Sequence, residues 1–139
     1  MSPYNLLQEI YLSDPWKSQV CCILLNCTRR CQVDRVREAL FARYPDALEM
    51  QSADPADLAE MLRPLGFYNR RAKSLMRFSQ DWTDKDWKHT RELYGIGEYA
   101  AASWDIFYND ITDIEPKDGV LVKYLQWKRQ QLSMPTSAN

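Results

Sequence analysis

The stretch Leu93-Tyr94-Gly95-Ile96-Gly97-Glu98-Tyr99-Ala100-Ala101-Ala102 carries the strongest chemical signal in this chain of 139 residues. Two glycines one residue apart make a turn too tight for side chains, and the turn runs directly into an alanine-rich helical segment. Backbone N–H groups at the start of such a helix have no partner within it and face outward, ready for an anion such as a phosphate. A Gly-x-Gly turn alone fits any tight helix–helix connection. The three alanines sharpen it, because small residues let two helices cross closely. Nineteen residues after Tyr99 lies Asp118. A carboxylate there can steady a developing positive charge or orient and deprotonate water. An aspartate ahead of a helix is also an ordinary N-cap, so its position alone leaves both roles open.

These groups need helices to hold them. Asp14-Pro15 and Asp54-Pro55 each pair an N-cap with proline at the first helical position, predicting helices over 16–25 and from 55 to near Leu62. Val33, Val36, Leu40 and Phe41 share one face of a helix over 31–43, which stops before Pro45. Pro64-Leu65-Gly66 makes a turn with Phe67 at its tip, as a wedge or as a core aromatic, and a basic amphipathic helix follows over 69–82. A short helix over 84–93 leads into the hairpin, whose second helix spans 98–107. Residues 109–117 read as a loop, and Asp118 stands at the N-cap position of a last helix ending near Gln131. No segment shows strand alternation. The expectation is an all-α single domain over 1–132, with 133–139 as a disordered tail.

Composition narrows the class. Apolar content of 45%, with five tryptophans and eight tyrosines, fits a packed globular protein. No apolar run is long enough to span a membrane, and Met1-Ser2-Pro3-Tyr4 lacks the features of a signal peptide. The expected location is intracellular: the nucleus in a eukaryote, the cytoplasm or nucleoid if bacterial or viral. The net charge of −1 is unevenly spread. Residues 29–43 sum to +3 and residues 63–78 to +5, whereas 44–62 and 93–118 are each −5. One basic face on a nearly neutral protein is compatible with nucleic acid, and so is a set of solvated helix faces. Cys21, Cys22, Cys27 and Cys31 match no zinc or iron–sulfur spacing, so reduced thiols and no metal are expected. His89 and the tryptophans 82, 87, 104 and 127 read as structural.

From Pro3 to about Trp127 the chain resembles the catalytic domain of the methyl-CpG-binding-domain mismatch glycosylases. The matching stretches include Pro3-Tyr4-Asn5-Leu6-Leu7-Gln8-Glu9, Asp14-Pro15-Trp16-Lys17, Leu24-Leu25-Asn26-Cys27-Thr28, Leu62-Arg63-Pro64-Leu65-Gly66-Phe67-Tyr68, Arg71-Ala72-Lys73, the hairpin with Tyr99, and Glu115-Pro116-Lys117-Asp118. The resemblance implies a helix-hairpin-helix DNA glycosylase that flips a mispaired or modified pyrimidine, thymine, uracil or a 5-substituted uracil opposite guanine, out of double-stranded DNA. It makes Asp118 the catalytic carboxylate, Gln8 and Tyr99 the base pocket, and Phe67 the apolar wedge. Gly95, Gly97, Arg71, Lys73 and Cys27 then take DNA-binding positions. Tyr99 stands where glycosylases that also nick the strand carry a Schiff-base lysine, so a monofunctional enzyme is expected; no cofactor and a monomeric state are expected besides. Animal members carry arginine at the Cys27 position, and Gly119 and Val120 also depart from the family pattern. Two alternatives follow from those departures: redirection to a hypermodified pyrimidine, or a DNA-binding module without catalysis.

Overall fold

A computed structural model describes residues 1–133; after Asp14, Asp54 and Asp118 helices start where those polar caps predict, and the described residues form eight α-helices in all. They are α1 (Leu7–Ile10), α2 (Pro15–Leu24), α3 (Arg30–Arg43), α4 (Ala47–Gln51), α5 (Pro55–Met61), α6 (Tyr68–Asp84), α7 (Glu98–Tyr108) and α8 (Gly119–Ser133). Asp14 caps α2 by accepting from the Lys17 N–H, and Asp54 caps α5 by accepting from Ala56 and Asp57. Such a cap is worth about 1 kcal/mol. No strand occurs among the described residues, as expected for the all-α class. Ser133 closes α8; the rest of the expected tail lies outside the described residues.

Two apolar centres organise the helices. The larger joins Trp16, Val20 and Leu24 of α2 to Val36 and Leu40 of α3, Met50 of α4, Leu58 of α5, and Leu75 and Phe78 of α6. Within it the Trp16 indole N–H donates to Ser79 Oγ at 3.1 Å. The smaller gathers Leu6, Ile106 of α7, and Leu121, Tyr124 and Leu125 of α8. Helices α4 and α5 pack on α6, and α7 packs on α2. Trp82, Trp87 and Trp104 stack with Tyr108 between helices, with ring centroids 4.7–6.1 Å apart, so these tryptophans are structural.

Three local elements differ from the sequence expectation. Beyond Asp84, the last residue of α6, residues 85–93 form no α-helix; only a 3₁₀ turn over Thr90–Glu92 is present. The Glu92 carboxylate accepts from the N–H groups of Lys88 and His89, and Lys85 Nζ donates to the Glu92 carbonyl, so side chains take the bonds a helix would use. Helices α1 and α4 were not expected. Each is five residues or fewer, too short for apolar periodicity to reveal. No helix among the described residues is long and apolar enough to cross a membrane.

Candidate active site

A cleft of about 680 Å³ opens where the two centres meet, lined by Leu7 and Ile23 of the larger one and by Leu6 of the smaller. Gln8, Cys27, Gly95, Gly97, Tyr99 and Asp118 all line it, although up to 110 residues separate them in the chain. Asp118 is half-buried. Its Oδ2 accepts from the Leu121 N–H at 3.0 Å, and its carbonyl accepts from the Val122 N–H, so it does cap α8. The helix cap is thus also a cleft-lining acid, as is Glu98. Capping fixes the carboxylate against the helix start, which holds it in place beside the cleft.

Gln8 is fully buried on α1, and its Nε2 donates to Tyr99 Oη at 2.7 Å and to Ser103 Oγ at 2.9 Å. Burial, assisted by Cys22 and Asp118, drives the Tyr99 phenol pKa upward against the opposing hydrogen bond from Gln8. The Cys22 thiol, buried beside Ser103 and Gln8, is pushed up to about 12. The floor of the cleft is therefore uncharged at neutral pH, and the carboxylate of Asp118 stands beside it.

The hairpin forms as the glycines suggest. Gly95 has φ +85°, and a Cβ there would stand 3.7 Å from Ile23 Cδ1, so backbone conformation rather than lack of space calls for glycine. Gly97 is the N-cap of α7 and supplies no side-chain acceptor, which leaves the first N–H groups of α7 available for a ligand. Glu98 in that first turn opposes an anion; Lys117 Nζ lies 3.4 Å from its carboxylate.

Phe67 stands outside the cleft lining, 65% exposed at the head of α6, with φ +47°. A bulky residue in the left-handed region is a real outlier. Gly66 at φ +72° precedes it, and the guanidinium groups of Arg70 and Arg71 lie 5.6 and 6.0 Å from its ring centroid. Cys27 is a second such outlier, exposed on the cleft lip at φ +61°. No charge comes from Cys27, but Arg30 lines the same cleft, tied to Asn5 O at 2.7 Å and to Asp34 at 2.9 Å.

Arg71 requires a correction. The expectation placed it at the DNA surface, yet it is 7% exposed. Its guanidinium donates to Gly66 O at 2.8 Å and Asn26 O at 3.0 Å, with Leu24 O and Leu65 O at 3.5 Å. It ties the turn that carries Phe67 to the lip that carries Cys27. Lys73 is exposed on α6. The sequence did not show the placement of two residues beside these groups. Ser103 had no motif around it. Arg77 belonged to the basic run, but nothing in the sequence showed its guanidinium stacked 4.4 Å from the ring centroid of Tyr94, at the hairpin.

A family profile for the HhH-GPD superfamily base excision DNA repair proteins matches residues 20–134. The chain belongs to this superfamily. Its fold is that of the HhH-GPD glycosylases, with the hairpin at Gly95–Gly97 and α7 as the helix that follows. Among curated relatives, a methyl-CpG-binding domain protein 4-like protein of Arabidopsis thaliana is 36% identical over 129 residues, covering 92% of this chain and 29% of the relative. A thymine-DNA glycosylase of Aeropyrum pernix is 33% identical over 97 residues, 65% of this chain and 44% of the relative. The chain thus spans less than half the length of either. Of solved structures, a thermostable thymine-DNA glycosylase superposes with a TM-score of 0.64 at 17% identity, over 76% of this chain and 61% of the other, a likeness of fold. Within this HhH-GPD domain no set of three or more His, Cys, Asp and Glu side chains is placed to hold a metal ion among the described residues.

Proposed function

We propose that this domain is a monofunctional DNA glycosylase that removes thymine, uracil or a 5-substituted uracil opposite guanine from duplex DNA. One observation carries the reading: Asp118, Gln8 and Tyr99 line the same cleft, with the hairpin at its edge. An extruded nucleotide enters the cleft while α7 N–H groups hold a flanking phosphate and Phe67 fills the vacated stack. Gln8 and Tyr99 hold the base. The bond from C1′ to the base nitrogen breaks, its electron pair leaves with the base, and positive charge grows on the sugar. Asp118 stabilises that charge and takes a proton from the water that adds to C1′; it releases this proton to solvent while the departing base anion gains one, leaving an abasic site and a neutral free base. Family membership and the relative named thymine-DNA glycosylase support the base class.

The monofunctional part rests on the cleft's chemistry. A Schiff base needs an amine, and no lysine is among the described residues that line the cleft. Tyr99, with its pKa raised by burial, stays a neutral phenol. Duplexes with G·T, G·U or G·hydroxymethyluracil, incubated with the protein and then heated in alkali, test the whole reading. Strand breaks that need alkali and fall at least about 100-fold in Asp118→Asn are expected. Binding without release of any base refutes the enzyme, and breaks without alkali refute the monofunctional mechanism.

A further inference from the structure

We infer that Ser103 is a positioning residue of the base pocket: its hydroxyl locks the Gln8 amide so that the pocket accepts a pyrimidine with hydrogen on N3. This deepens the glycosylase reading and rests on it. Ser103 lies on α7 one turn beyond Tyr99, and it is 1% exposed. At that spacing both hydroxyls project from one face of the helix. The Gln8 side chain, from α1, meets the pair with Nε2 at 2.7 and 2.9 Å from their oxygens.

Hydrogen counting sets the consequence. A primary amide nitrogen has two hydrogens, and here both are taken. None is left for a ligand, so what Gln8 offers to the cleft it lines is its acceptor, Oε1. Tyr99 Oη accepts from Gln8, and its own hydrogen stays free to donate. An acceptor beside a donor complements the N3–H and adjoining carbonyl of uracil and thymine. Cytosine presents a ring acceptor beside an amino donor, the reverse pattern, and would leave buried polar groups unpaired. The opposite amide orientation would consume the only Tyr99 hydrogen. As the amide stands, Nε2 meets two oxygens rather than one, and Ser103 supplies the second. The Cys22 thiol beside this network, pushed up to about 12, stays protonated and adds no charge.

Duplexes carrying 2′-fluoro-deoxyuridine or 2′-fluoro-deoxycytidine opposite guanine resist cleavage and report discrimination by binding alone; G·U excision in single turnovers reports chemistry. The wild-type protein, Ser103→Ala, Ser103→Thr, Gln8→Leu and the Gln8→Leu/Ser103→Ala double variant are compared. Ser103→Ala is expected to lower the excision rate and the uracil-over-cytosine binding ratio by about fivefold to tenfold. It should change neither in the Gln8→Leu background, and Ser103→Thr should restore both. A merely structural serine would lower the melting temperature without moving the binding ratio. The inference is overturned if Ser103→Ala leaves that ratio within twofold of wild type, or if its effect adds fully to that of Gln8→Leu. A wild-type protein that discriminates in binding but releases no base would refute the glycosylase reading and leave the Ser103 assignment standing.

Discussion

Arg71→Met separates a buried clamp from a DNA contact. The guanidinium makes two short hydrogen bonds, to Gly66 O and Asn26 O, and two at the distance limit. A hydrogen bond from a charged group contributes about 1.5–3 kcal/mol net. Methionine keeps the stem packed but removes both short bonds and leaves their carbonyls dependent on water. Taking the low end for each short bond gives a loss of about 3 kcal/mol, and for a domain of this length the melting temperature should fall by roughly 10 °C. Lysine is no substitute, because one point charge cannot reach carbonyls from both loops. Excision should slow as well, since Gly66 positions Phe67 and Asn26 positions Cys27. Thermal unfolding by circular dichroism and DNA affinity over a range of salt concentrations decide the matter. A clamp loses melting temperature while the slope of log affinity against log salt is kept. Lys73→Ala serves as the reverse case, with the melting temperature kept and a slope shallower by about 0.9. If Arg71→Met melts within about 3 °C of wild type and flattens the slope as Lys73→Ala does, the residue touches phosphate and the clamp is refuted.

Two further outcomes follow from the same geometry. Arg77→Ala removes a cation held over Tyr94 at the hairpin, and it should flatten the salt slope by about 0.9 while shifting stability by less than about 0.5 kcal/mol; an unchanged slope places Arg77 off the DNA path. Stability should also decline in alkali. Burial raises the Cys22 thiol from 9.0 to about 12, and Cys21 and Tyr99 shift the same way. Their stabilisation is complete below pH 9.0, where the thiols are protonated in both states. It is lost as pH rises from 9 towards 12, at up to about 1.4 kcal/mol per pH unit per thiol, because unfolding then releases protons. Urea midpoints for Cys22→Ala should fall less steeply than wild type between pH 9 and 11; parallel curves would refute that assignment.

Much of this scaffold was readable because its signals are local. Asp14-Pro15 and Asp54-Pro55 mark helix starts by chemistry contained in two residues, and α2 and α5 begin there. The Gly95–Gly97 turn announces itself for the same reason. Asp118 shows the limit of such signals: a cap and a catalytic acid look alike in sequence, and only its place in the cleft with Gln8 and Tyr99 relates it to chemistry. What stayed hidden is long-range. Whether a residue of a basic run points outward depends on helix phase, and Arg71 falls on the buried side of α6 with Ala72 and Leu75 while Arg70 and Lys73 face solvent. Ser103 matters only because Gln8, 95 residues away, reaches it. The 84–93 segment misled because Glu92 and Lys85, good helix formers, here bond to nearby backbone instead.

Phase also explains how a chain of net charge −1 can face a polyanion. The acids of residues 44–62 sit on and around α4 and α5, which pack against α6, whose buried face carries Leu75 and Phe78. Arg70, Lys73 and Arg77 project from its exposed side, and none is paired with an acid among the described residues. Arg43 and Arg63 lie about 4 Å from Asp57 and Glu60, so these two cations beside the acidic block are partly neutralised by it. A helix with its side chains is about 10 Å across, while charges in physiological salt are screened over about 8 Å. A phosphate approaching the Arg70–Arg77 stretch of α6 therefore feels three cations at close range and the acids of α4 and α5 only through screening, while Asp81 and Asp84 follow on the last turn of the same helix. The same screening weakens the attraction of those three cations as salt rises, since few phosphate contacts stand in reserve. Net charge is a poor guide to partner choice when one helix gathers its cations ahead of its acids.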